Sequence, residues 1–106
     1  EIIELINEKE IKDNQLKFKK EFLDNISNPN EQDKLIFGRN EVGEAILNFM
    51  LKKIFVNPKI LKLLKEKVDA STLNFEINVI KSLENGDYGQ TLNKDFGGIV
   101  GIKYFS

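Results

Sequence analysis

The spacing of apolar residues changes character along this chain, from a recurrence at three and four to a strict alternation near residue 72. Residues 1 to 12 set Ile2, Leu5 and Ile6 on one helical face and Glu1, Glu4 and Glu8 on another, which predicts a helix with acidic first turns. Leu16, Phe18, Phe22, Leu23 and Ile26 continue at helical spacing. Asp13-Asn14-Gln15 is a place where the run can divide in two, and Ser27-Asn28-Pro29-Asn30 ends it. Lys34 to Phe37 reads as a small strand or as the entry to the next helix. From Glu41 to Phe55 the apolar positions Val42, Ala45, Ile46, Leu47, Phe49, Met50, Leu51, Ile54 and Phe55 exceed one stripe, which predicts a central, largely buried helix. Asn57-Pro58 then breaks and restarts the chain. Proline suits a first helical position, and Ile60, Leu61, Leu64 and Val68 carry the stripe of a helix ending near Lys67.

Leu73-Asn74-Phe75-Glu76-Ile77-Asn78-Val79 alternates apolar and polar, the pattern of a half-buried strand. The same residues can be drawn as a helix with Leu73, Ile77 and Ile80 on one face. Asn85-Gly86 favours the strand, because it supplies the two positive φ angles of a type I′ hairpin. The turn pairs Leu83 with Tyr88, Lys81 with Gln90 and Val79 with Leu92, gathering Leu73, Phe75, Ile77, Val79, Leu83, Tyr88 and Leu92 on one face. Ile99 to Phe105 adds a third strand, apolar on both sides, that is either doubly covered or lies at an interface. The expected fold is α+β in a single domain over residues 1–106, with about four helices on one face of a small C-terminal antiparallel meander. Its strands fall near 72–84, 87–93 and 98–105.

Composition narrows the chemistry. The 106 residues contain no Cys and no His, which removes thiolate and imidazole metal sites and the common nucleophile pairs. No cofactor or metal is expected. The net charge is −1 and Arg39 is the only arginine, a poor basis for reading phosphate or guanine, so nucleic acid is not the expected partner. No apolar run reaches the roughly 18 residues needed to span a bilayer, and nothing resembles a signal peptide, so a soluble domain is expected, its location open but cytoplasmic in preference to secreted. The Lys, Asn, Ile and Phe content suggests an AT-rich genome. A start at Glu1 rather than Met fits a processed protein, an excised domain or a trimmed chain alike.

Two groups of residues invite a functional reading. Lys52, Lys53, Lys59, Lys62, Lys65 and Lys67 face Glu66 alone within residues 52–67, while residues 1–13 are acidic. Lys59, Lys62 and Lys65 are candidates for contacting phosphate or an acidic partner, against the plainer alternative of a solvated helix face. Lys81 falls among apolar neighbours in the hairpin register, where desolvation would lower its pKa. With Ile99 and Phe105 apolar on the outer side of the last strand, the first expectation is a non-enzymatic module that binds another protein, or itself, through that strand. An inhibitor or immunity-type partner is one form of it. The order of helices followed by a meander resembles that of barnase-like bacterial toxin domains, which implies a metal-independent ribonuclease using Lys81, Thr91, Lys103 or Tyr104. A third expectation takes residues 58–84 as two helices and 88–105 as the wing of a DNA-binding winged helix.

Overall fold

The computed structural model describes residues 8–104. Most of the helix expected over residues 1–12, and Phe105, lie outside them. The α+β class holds: four α-helices accompany a four-stranded mixed sheet. In chain order these are α1 (Glu8–Phe18), continued by a π-helical turn over Lys19–Leu23, β1 (Leu35–Phe37), α2 (Arg39–Leu47), β2 (Leu51–Val56), α3 (Pro58–Lys67), β3 (Glu76–Val79), α4 (Tyr88–Asp95) and β4 (Ile99–Lys103).

The antiparallel meander is replaced by a sheet ordered β1-β4-β2-β3. β2 and β3 are parallel, with Ile54 opposite Ile77 and Val56 opposite Val79, and α3 supplies the crossover that a parallel pair requires. β4 is antiparallel to both neighbours, setting Val100 opposite Phe37 on one side and Phe55 on the other. Ile99 and Val100, which point to opposite faces, are both buried, so the last strand is the doubly covered one of the two alternatives.

Helices cover both faces of the sheet rather than one. Val42, Ala45 and Ile46 of α2 and Leu61 of α3 pack on Ile54, Val56, Val79 and Ile99. On the opposite face Phe18 and Phe22 join Phe55, Ile80, Leu92 and Val100. Ile54, Phe55 and Val56 are all fully buried at consecutive positions, as happens in a strand sandwiched between two layers. That run also explains why no single central helix spans residues 41–55. Its apolar breadth belongs to a helix and a strand, divided at Asn48-Phe49. α2 ends there in a Schellman arrangement: Met50 N–H donates to Ala45 O at 3.0 Å and Phe49 N–H to Ile46 O at 3.2 Å, with Phe49 at φ 55°.

The hairpin at Asn85-Gly86 does not form. Gly86 takes φ 80° but Asn85 does not enter the positive region, so the two-residue I′ geometry is absent. Asp87 instead caps α4: its Oδ1 accepts from Gln90 N–H at 2.9 Å, and Gln90 Oε1 accepts from Gly86 N–H at 2.5 Å. Tyr88 and Leu92 satisfy the helical i, i+4 spacing as well as alternation, which is why the pattern alone misled. Glycine at position 89 lets α4 lie directly on the backbone of Lys81 and Ser82, where a Cβ would stand 2.5 Å from the Lys81 carbonyl. α1 runs unbroken through Asp13-Asn14-Gln15, because Asn14 Nδ2 donates to Val79 O and Gln15 Nε2 to Lys81 O, at 2.9 and 2.8 Å.

Candidate functional site

The expected ribonuclease residues do not converge. Thr91 sits half-buried on α4, over the aromatic face, with its hydroxyl 3.4 Å from Asp87 O. Strand alternation sets Lys103 on the opposite face, with Ile99 and Gly101. Lys81 is exposed rather than desolvated, and Tyr104 is an exposed residue beyond the end of β4. Only the backbone of Lys81 is engaged, by Gln15. The winged-helix expectation fails equally plainly: β3 occupies part of the proposed second helix, and the proposed wing contains α4.

Lys59, Lys62 and Lys65 all lie exposed on α3, whose start is set by Asn57: its Oδ1 accepts from Ile60 N–H at 2.7 Å. Asn57 Nδ2 donates to Asn93 Oδ1 at 2.9 Å, and Asn57 N–H donates to Gly98 O at 3.0 Å. Gly98, at φ 90°, leaves no room for a Cβ, which would stand 2.5 Å from Asn57 Nδ2. The start of α3, the end of α4 and the residue just before β4 are thus tied together.

Beside α3 runs a groove of about 340 Å³ lined by α2 and α3. Ile46, Ile60, Leu64 and Ile99 contribute to its apolar lining, so Ile99, expected at an open strand surface, is a buried residue lining this groove instead. Leu47 and Leu63 also line it and remain 65% and 37% exposed. Arg39, in the first turn of α2, and Lys67, in the last turn of α3, are its cations, and neither is ion-paired among the described residues. Gly43 lies within the helical part of this lining, where glycine costs about 1 kcal/mol relative to alanine. Neither backbone nor packing demands it, since φ is not positive and nothing lies within 4 Å of the place a Cβ would occupy. Sequence reasoning missed this groove because it treated α2 and β2 as one helix.

A polar cluster centred on Asp87 lies elsewhere. Asp87 Oδ2 accepts from Leu83 N–H at 2.7 Å, Glu84 N–H at 3.1 Å and Gln15 Nε2 at 3.2 Å. Burial acts to raise the Asp87 pKa, but the backbone N–H groups of Leu83, Gln90 and Glu84 outweigh it and hold the carboxyl at about 2. Lys53, with its side chain 14% exposed, pairs with Glu21 of the π-helical turn and with Glu76 at 3.7 Å. The hydrogen bond from Asn78 is the main cause lowering the Glu76 pKa, and Lys53 adds to it against the opposing effect of burial. Both clusters join layers of the fold. No group of three or more Asp or Glu suited to a metal ion occurs among the described residues, and no described helix is long and apolar enough to cross a membrane.

No known family model and no curated protein matches the chain. Solved structures do. The archaeal translation termination factor aRF1 superposes with TM-score 0.69 and 20% identity over 88% of this chain and 26% of its own. An archaeal Pelota, from a model of ribosome-bound Pelota and ABCE1, gives 0.63 and 25% over 92% of this chain and 27% of its own. Dom34 of S. cerevisiae, a termination-like factor in RNA quality control that interacts with Hbs1, gives 0.66 and 20% over 88% and 27%. The chain therefore spans about a quarter of each of these proteins. The likeness corrects the functional expectation: domains of translation factors share this fold, so the inhibitor or immunity-type reading and the toxin-like and winged-helix readings are set aside.

Proposed function

We propose that the chain is one domain of a translation factor of the release-factor and Pelota kind, serving there to dock a ribosome-associated partner. The observation that carries this reading is the recurrence of one fold in aRF1, Pelota and Dom34, over 88% to 92% of this chain each time. Pelota is described bound to the ribosome with ABCE1, and Dom34 interacts with Hbs1; a homologue of either protein is the partner class proposed here. The exposed apolar side chains Leu47 and Leu63 and the lysines of α3, unpaired among the described residues, supply surface for such a contact. An edge-strand contact through β4 is not part of the proposal, since β4 is hydrogen-bonded on both sides.

Cosedimentation provides the test. The purified chain is layered with archaeal ribosomes, and separately mixed with Hbs1 and ABCE1 homologues, at about 0.1 M salt, where surface charges more than a Debye length of roughly 10 Å apart are screened. Retention with the ribosome or with one of the two proteins is the expected result. A chain that stays free in all three mixtures overturns the reading. Binding to naked ribosomal RNA equal to that seen with ribosomes would also overturn the protein-docking part.

A further inference from the structure

We propose that the groove between α2 and α3 receives an amphipathic helix of a partner protein, an apolar stripe with a carboxylate toward each end. α2 follows β1, and α3 follows β2. Both strands run antiparallel to β4, so the two helices return from the same end of the sheet and lie parallel. At 1.5 Å per residue they present a trough of about 13–15 Å, two to three turns of a third helix. An apolar helix face anchors in such a trough through side chains at i, i+3 or i+4, and i+7. Leu47 and Leu63 are available to meet it, as both keep exposed surface toward the groove's mouth, Leu47 more than Leu63.

Gly43 makes the groove more than a dent between helices. It is unfavourable in a helix, it is not needed for backbone geometry, and it fills no tight contact within the chain. Its one structural effect is to leave the trough open where an incoming helix would approach. Charge then selects the occupant. Arg39 lies at the start of α2, whose N-terminal cap Gly38 offers no side-chain acceptor, and Lys67 lies in the last turn of α3. Both cations lack ion-pair partners among the described residues, so carboxylates complement both ends. A second copy is disfavoured as occupant, because two-fold pairing of this groove with itself brings Arg39 and Lys67 of one chain toward those of the other. Single-stranded RNA fits poorly too: the lining is largely aliphatic and offers no aromatic ring on which a base could stack.

This inference goes beyond the translational reading and is tested without it. The probe is a fluorescent synthetic helix of about four turns with leucines at i, i+3, i+4 and i+7 and glutamate at each end; its control carries lysine at both ends. Fluorescence anisotropy on the purified chain should show binding of the glutamate peptide and at least tenfold weaker binding of the lysine peptide. Gly43→Leu projects a side chain into the trough from a position with nothing within 4 Å of its Cβ, so it should weaken the glutamate peptide at least tenfold without lowering the thermal unfolding midpoint. Arg39→Glu with Lys67→Glu should reverse the preference between the peptides. Equal binding of the two peptides, binding unchanged by Gly43→Leu, or displacement of the peptide by oligouridine overturns the proposal. The assay contains no ribosome or translation factor, so its failure leaves the translational reading standing, and a chain that ignores ribosomes leaves a positive peptide result standing.

Discussion

The two faces of the sheet are closed by different means. On the α1/α4 side Phe18 stacks on Phe22 with ring centroids 5.6 Å apart, and Phe96 meets the edges or faces of Phe18, Phe22 and Phe37 at 6.1, 5.2 and 5.4 Å. Side-chain hydrogen bonds from Asn14 and Gln15 then bind α1 to the backbone at the end of β3 and just beyond it. The α2/α3 side is aliphatic, and its two helices stand apart over a groove. Large aromatic rings and specific polar ties close one layer; smaller aliphatic side chains close the other only at its base. The teaching is that one sheet supports a sealed layer, which carries stability, and an unsealed one, which is free to carry recognition.

The contrast predicts unequal costs for truncation. Phe22→Ala removes a fully buried ring and should destabilise by about 3–5 kcal/mol, read as a loss of denaturant midpoint with the slope unchanged. Leu63→Ala on the groove should cost under about 1 kcal/mol because the side chain is already partly in water. Similar losses at the two positions would erase the distinction between the layers.

Next in size is the Asp87 cap on the sealed side. Asp87→Ala should cost about 1–2 kcal/mol through loss of the helix cap and its companion N–H contacts. Its folded pKa of about 2 lies below the ordinary 3.8, so the carboxylate's contribution is fully present above roughly pH 4 and is lost as pH falls through 2. Urea unfolding from pH 5 to pH 2 should therefore show a smaller acid loss for Asp87→Asn than for the parent chain; identical profiles would remove Asp87 from the account.

The smallest effects lie on the unsealed side and run the other way. Phe49 occupies a left-handed position usually taken by glycine and is 67% exposed, so Phe49→Gly should stabilise by about 1 kcal/mol. Gly43→Ala should stabilise by about 0.5–1 kcal/mol in a helix that has room for the methyl group. Differential scanning calorimetry measures both as rises in Tm. A fall in either would mean that the α2 layer is packed more tightly than its geometry indicates.

Much of the architecture was legible in residue order. α3 was readable from Asn57-Pro58 and the Ile60, Leu61, Leu64 stripe, because capping and amphipathic spacing are local. β4 was readable as a strand apolar on both sides, because Val100 and Ile102 alternate with Ile99, but not whether both sides are covered within the chain. Asp87-x-x-Gln90 has the spacing of a helix start, which the hairpin reading of Asn85-Gly86 does not take into account, and Asn-Gly serves a helix entry as readily as a hairpin.

What the residues determine by themselves about this protein is therefore its class and its local starts and stops, since caps, turns and side-chain periodicity act within a few positions. Which strands neighbour one another, whether helices lie on one face or two, and the existence of a groove were decided only by the tertiary structure. Those depend on pairings such as Val100 with both Phe37 and Phe55, and on α2 and α3 coming to flank one groove, relations between residues far apart in the chain that no short-range pattern encodes.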